Sequence, residues 1–158
     1  MVSSYFPGLI IYLDTCSLQR PLDDRSQVRI RLEAEAVLSV IDLVEAGTLD
    51  LLSSDALIYE TEKNPHPTRR EFVWEVVSSA SRRVEFTDEV ERRAQELNQA
   101  GIDTLDSFNL ASAEKGNADV FCTCDDAFLT KAKREVSGGT QVVSPLELVE
   151  EIEGWQSQ

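Results

Sequence analysis

Gly8-Leu9-Ile10-Ile11-Tyr12-Leu13-Asp14 is apolar almost throughout and ends on an acid. A short run of this kind, with no alternation of polar residues, predicts a strand buried on both faces. The stretch that follows, Thr15 to Gln27, is polar, contains Pro21 and the adjacent acids Asp23 and Asp24, and reads as a loop. From Val28 to Glu45, apolar residues recur at Ile30, Ala34, Val37, Leu38, Ile41 and Val44. That spacing makes one apolar helical face, and Gly47 is placed to stop the helix. Leu49 to Leu52 predicts a second short strand.

The same alternation continues to the end of the chain. Helical stretches over Asp55–Lys63 and Thr68–Ala80 are separated by the prolines around His66, and Arg83–Phe86 reads as a short strand. Thr87 caps a helix that runs towards Gly101, and Leu105 to Lys115 forms another. Asp119–Thr123 is a strand, Asp125–Arg134 a helix and Gln141–Val143 the last strand. Ser144-Pro145-Leu146-Glu147 is a capping box with proline at the first helical position, so a terminal helix starts there. Strands alternating with helices predict a three-layer α/β/α architecture around a mostly parallel sheet, one domain over residues 1–158.

Composition fits that reading. Of 158 residues, 42% are apolar and 28% charged, with 5 prolines and 7 glycines, which excludes a disordered or collagen-like chain. No apolar run approaches the roughly 20 residues that span a bilayer. Met1-Val2-Ser3-Ser4-Tyr5-Phe6-Pro7 lacks the basic start of a signal peptide. A cytoplasmic protein without a membrane partner is expected. Acidic residues number 29 against 15 basic, a net charge of −14. Such a surface repels nucleic-acid backbones on average, so any work on them must happen at a local site with cations brought in. Cys16, Cys122 and Cys124 are an odd count without zinc-ribbon or disulfide spacing, which fits reduced thiols. The one histidine, His66, leaves no multi-histidine zinc site and makes a histidine-based triad a poor fit. Carboxylates are the chemistry that remains.

Open parallel sheets bind their ligands at the carboxyl ends of the strands. Two predicted strands end alike, in Tyr12-Leu13-Asp14-Thr15 and Cys122-Thr123-Cys124-Asp125-Asp126, so parallel strands deliver acids and hydroxyls to one edge. Each acid alone has a plainer account. Asp14 suits a turn, Asp125 suits a helix cap, Asp106 suits a first helical turn behind an Asp103 cap, and Glu60 suits a solvated face. Gathered at one edge, carboxylates would repel each other by roughly 1–4 kcal/mol per close pair and would titrate high unless a cation compensated. Oxygen ligands without histidine point to Mg²⁺ or Mn²⁺, which also bind phosphate oxygens.

From Ile10 to about Leu148 the chain resembles the PIN-domain nucleases, which include the toxins of many bacterial toxin–antitoxin pairs. Leu13-Asp14-Thr15 is similar to the family's opening acid and hydroxyl. Ser53-Ser54-Asp55-Ala56-Leu57-Ile58-Tyr59-Glu60 resembles its second acidic segment, Leu105-Asp106-Ser107-Phe108-Asn109-Leu110-Ala111 the third, and Thr123-Cys124-Asp125-Asp126-Ala127-Phe128 the fourth. Cys16 stands where the family often has Asn, and Ser107 and Asn109 where Ala and a later His are common. The resemblance implies a Mg²⁺- or Mn²⁺-dependent ribonuclease in which Asp14, Glu60, Asp106 and Asp125 are catalytic and hold one or two ions. Asp126 is an auxiliary ligand in that picture, with Thr15, Thr123 and Asn109 in support. Asn109 lies three residues beyond Asp106, on the same helical face. RNA is the implied substrate, an antitoxin protein an implied partner, and a second copy of the chain another, since family members often dimerise.

Arg25, Arg29, Arg31, Lys131, Lys133 and Arg134 flank the first and last acidic motifs. They read either as a local track for RNA or as helix surface paired with Glu33, Glu35 and Glu135. Two other functions fit parts of the chain. A haloacid-dehalogenase-type phosphatase also opens on a strand ending in Asp, but wants a second Asp where this chain has Cys16. A PIN-like module that binds a basic partner without catalysis needs only the fold and the acidic surface. Redox chemistry at Cys122 and Cys124 lacks the usual two-residue gap.

Overall fold

A computed structural model describes residues 9–156. The apolar run folds as β1 (Ile10–Leu13), with Ile11, Tyr12 and Leu13 withdrawn from solvent. The expected beginning of this strand at Gly8, and the segment before it, lie outside the described residues. β1 is the middle strand of a five-stranded, all-parallel sheet. The others are β2 (Asp50–Ser54), β3 (Arg82–Val84), β4 (Val120–Cys122) and β5 (Gln141–Val143), in the order β3-β2-β1-β4-β5. The chain builds outward from β1 to β3, then crosses to the far side of β1 for β4 and β5. The order therefore reverses between β1 and β4, where Tyr12 pairs with Phe121 and Leu13 with Cys122. A crevice opens at the carboxyl ends of strands at such a switch point.

Among the described residues, helices α1 (Thr15–Gln19), α2 (Val28–Glu45), α3 (Asp55–Glu62), α4 (Pro67–Ser78), α5 (Asp88–Gln99), α6 (Thr104–Lys115), α7 (Asp126–Glu135) and α8 (Pro145–Gln156) complete the three-layer α/β/α fold. None of them is long and apolar enough to cross a membrane. The expected local signals operate at several of their ends. At the end of α2, Gly47 takes φ 77°, and the Thr48 and Gly47 N–H groups close on the Leu43 and Val44 carbonyls at 2.9 and 3.0 Å. The Ser144–Glu147 capping box forms both of its bonds. Thr87 caps α5 by accepting from the Val90 N–H.

Three boundaries differ from the sequence reading. The stretch after Asp14 is α1 followed by a 3-10 turn over Arg20–Leu22, rather than loop. The Asp14 carboxylate caps the Ser17 N–H and Leu18 is fully buried, so one short turn gains both a cap and core packing. Pro21 is early in the 3-10 turn, where its missing N–H costs nothing. β2 extends to Ser54, while β3 ends at Val84. The Phe86 N–H turns instead to Asp55 Oδ2, at 2.9 Å. Asp103 occupies the N-cap position of α6, but its side chain makes no cap bond.

Aromatic packing ties the crevice to the core. Tyr12 stacks on Phe121 with ring centroids 5.2 Å apart, and Phe128 of α7 meets Phe121 edge-on at 5.6 Å. On the other side, Gly116 ends α6 hard against the sheet. A Cβ there would lie 2.5 Å from Leu52 Cδ2 and 2.7 Å from Val84 Cγ2.

Candidate active site

The two strand-end acids are fixed by backbone as well as side chain. The Asp14 N–H bonds the Cys122 carbonyl at 3.2 Å, which carries the β1–β4 ladder one step further. Its Oδ1 accepts from the Ser17 N–H at 3.0 Å and from the Cys16 thiol at 3.1 Å. Across the crevice, Asp125 caps α7 by accepting from the Phe128 N–H at 3.1 Å, and its own N–H donates to Thr123 Oγ1 at 3.1 Å. The helix-cap reading of Asp125 thus describes its local role. A cap occupies one carboxylate oxygen of two, so it leaves room for a second task.

Glu60 reaches the same region from α3 and Asp106 from the first turn of α6. The charges of the other three acids all act on Asp106. Burial is the first cause that pushes the Asp106 carboxyl up to about 7, and the charges of Asp14, Glu60, Asp125 and Asp103 follow in that order. Asp14 is also raised well above the ordinary carboxylate range. Burial contributes most, and the Thr123 hydroxyl and Ser17 N–H oppose it. Asp126 is not in this group. It lies exposed on the surface, and Arg29 grips both of its oxygens from α2, which lowers its pKa. Asp14, Glu60 and Asp125 thus act on Asp106 through their charges, while Asp126 pairs with Arg29.

The supporting residues divide. Thr123 stands between the strand-end acids, with its hydroxyl on the Asp125 N–H and 3.3 Å from the Cys16 sulfur. Thr15 Oγ1 is buried with no hydrogen-bond partner among the described residues. Asn109 is buried, donates to Glu60 Oε1 at 3.0 Å and accepts from the Tyr12 hydroxyl. Sequence reasoning missed Tyr12 and Ser54, whose hydroxyls lie 2.6 Å apart beneath the acids. The signal for Tyr12 was present: it is the one polar-tipped side chain inside an otherwise aliphatic strand.

The flanking cations are largely engaged. Arg25 faces Glu35, Arg29 faces Glu33 and Asp126, Lys133 faces Glu147, and Arg134 faces Glu135. Lys131 donates to the Gly101 carbonyl. Five of the six are thus engaged at the surface. Cys16, Cys122 and Cys124 are free thiols. His66 is exposed ahead of α4.

Among the described residues, no three His, Cys, Asp or Glu side chains stand close enough to enclose an ion unaided. Mg²⁺ does not ask for that, because it keeps several waters and takes only one or two carboxylates directly. All-oxygen donors, acids that raise one another and an orphaned buried hydroxyl suit a hard divalent cation.

A parallel sheet covered on both faces, with acids at the carboxyl ends of its central strands, places this chain among the open α/β proteins. The family model of the PIN domain matches residues 11–134, and the chain belongs to that family, whose members are generally nucleases that bind nucleic acid. None of the curated proteins matches it.

Proposed function

We propose that this PIN-domain protein is a Mg²⁺- or Mn²⁺-dependent ribonuclease that hydrolyses RNA phosphodiester bonds, with Asp14, Glu60, Asp106 and Asp125 holding the ion. The observation that carries the reading is Asp106, a carboxyl raised to about 7 by burial and by the other three acids. A divalent cation is the counter-charge such an arrangement calls for. When bound, the ion polarises the phosphodiester and makes a water a better nucleophile.

The chain's own residues prepare the site. The helix cap on Oδ1 and the Thr123 hydroxyl favour the ionised form of Asp14 and offset part of the upward push of burial. Asn109 fixes one oxygen of Glu60. Asp106 keeps its proton below about pH 7 in the metal-free protein and gives it up as the ion arrives, so ion binding tightens as pH rises through 7. With a net charge of −14 and its flanking cations paired, the protein meets RNA phosphate through the bound ion rather than through a broad basic surface.

A toxin role, with an antitoxin partner and a homodimeric state, belongs to the same proposal. A neighbouring reading frame for a short protein with a DNA-binding motif would support it. The free thiols suit a reducing cytoplasm. The decisive test is cleavage of single-stranded RNA by purified protein with Mn²⁺ or Mg²⁺. EDTA and, separately, Asp14→Asn should each abolish it. Full activity in that variant refutes the assignment, and faster cleavage of a small phosphate ester than of RNA refutes the substrate class.

A further inference from the structure

We propose that Ser54, Tyr12 and Asn109 are positioning residues for Glu60, forming a buried hydrogen-bond chain that starts and ends on α3 and holds the Glu60 carboxylate for the ion. The inference rests on the metal-dependent reading above and adds residues that reading does not need. The chain begins at the Leu57 N–H, which donates to Ser54 Oγ at 3.0 Å. Ser54 Oγ lies 2.6 Å from the Tyr12 hydroxyl, which donates to Asn109 Oδ1. Asn109 Nδ2 then donates to the Leu105 carbonyl at 2.9 Å and to Glu60 Oε1 at 3.0 Å.

The direction of every bond is determined. Asn109 faces two acceptors with its NH₂, so its Oδ1 is the atom towards Tyr12, and no flipped amide satisfies the set. The single phenolic proton goes to that Oδ1, so Ser54 must donate to the tyrosine oxygen while accepting from Leu57. All the donors point one way, and the last acceptor is the carboxylate. Successive bonds aligned like this polarise one another.

The four acids show why Glu60 needs such a device. Asp14 and Asp125 have short side chains locked by helix caps, and Asp106 sits in the first turn of α6. Glu60 is longer, lies in the last turn of α3 and has no backbone donor among the described residues. Capping of α3 by Ser54 accounts for the first link, but stability does not account for the rest. Ser54 and Tyr12 are fully buried and Asn109 is 1% exposed, and burying polar groups at best breaks even against apolar packing. A phenylalanine at position 12 would stack on Phe121 equally well. What the polar atoms supply is a fixed orientation for one oxygen of Glu60, carried from β1 and α6.

The test is Tyr12→Phe, which deletes the central hydroxyl and keeps the ring. Mn²⁺ binding to the full chain is measured by calorimetry without RNA, and kcat and KM are measured on single-stranded RNA. Lost outer-shell partners of metal ligands typically cost about 10–100-fold in affinity or activity. A drop of that size in Mn²⁺ affinity and kcat, with KM for RNA within about twofold and a preserved melting transition, is expected. Asn109→Ala breaks the last link from the other side and is expected to do the same, which keeps the test open if Tyr12→Phe folds poorly. Glu60→Gln runs in parallel. If Glu60→Gln loses Mn²⁺ while Tyr12→Phe and Asn109→Ala bind and turn over like the parent, the positioning chain is refuted and the ribonuclease reading stands. If Glu60→Gln itself binds Mn²⁺ unchanged, Glu60 is no ligand, and both fall.

Discussion

Replacing Asp106 with Asn tests the electrostatics of the site without RNA or metal. Metal-free protein holds a proton on Asp106 up to about pH 7, whereas the unfolded chain releases it near pH 4. The folded state therefore binds more protons across that window, and stability falls as pH rises from about 4 to about 7. At about 1.4 kcal/mol per pH unit the ceiling is about 4 kcal/mol. Asp106 is only partly buried, so solvent screening reduces this to about 1–2 kcal/mol. Asn removes the charge and its titration, while losing a favourable first-turn interaction with the α6 dipole worth about 0.3–1 kcal/mol. Chelator-treated parent and variant, melted between pH 4 and 9, should diverge progressively from about pH 4 to about pH 7 and hold a constant offset above it, with the variant the more stable by about 2–5 °C at pH 8. Added Mg²⁺ should then raise the parent's midpoint more than the variant's. A variant offset that is the same at pH 5 and pH 8, or a variant less stable at pH 8, refutes the reasoning.

Other outcomes follow from single contacts. Asp14→Asn should lose RNA cleavage by more than about 100-fold yet keep its circular dichroism and melting transition, because Asn caps a helix about as well as Asp. Gly116→Ala drives a methyl into the buried Leu52 and half-buried Val84 side chains and should cost about 1–3 kcal/mol in urea denaturation, with the RNA KM unchanged. Glu33 is a buried residue of α2 with Arg20 at 3.1 Å and Arg29 at 3.4 Å, so Glu33→Ala should cost about 3 kcal/mol by the same measurement. Asp126→Ala, which removes only an exposed ion pair, should change stability by less than about 1 kcal/mol.

How much of this could be read from the chain depends on the range of the interaction. β1, α2 and the Ser144 capping box are encoded within a few residues, as unbroken apolarity, helical spacing and a reciprocal cap, and they form as read. α1 escaped notice because its five residues are too few to show a period, and its stability comes from burying Leu18 under the rest of the fold. At the site, the acids at strand ends were visible because parallel strands send their last residues to one edge. The partners of those acids were not. Tyr12 and Asn109 are 97 residues apart, as are Arg29 and Asp126, and no local pattern announces either pair. The first pair ties Glu60 into the core and the second takes Asp126 out of the site. Both distinctions needed the sheet order before they could be drawn.

Asp14 and Asp125 each begin a helix with the same carboxyl that faces the crevice. A chain that put either acid in the wrong place would also leave α1 or α7 without its first turn. Folding thereby inspects the reaction centre: molecules that complete these helices have already aligned two of the four charges. Mutational drift meets the same check, since changing either acid to an apolar residue weakens the scaffold together with the chemistry, and a neutral capping residue such as asparagine or serine separates the two.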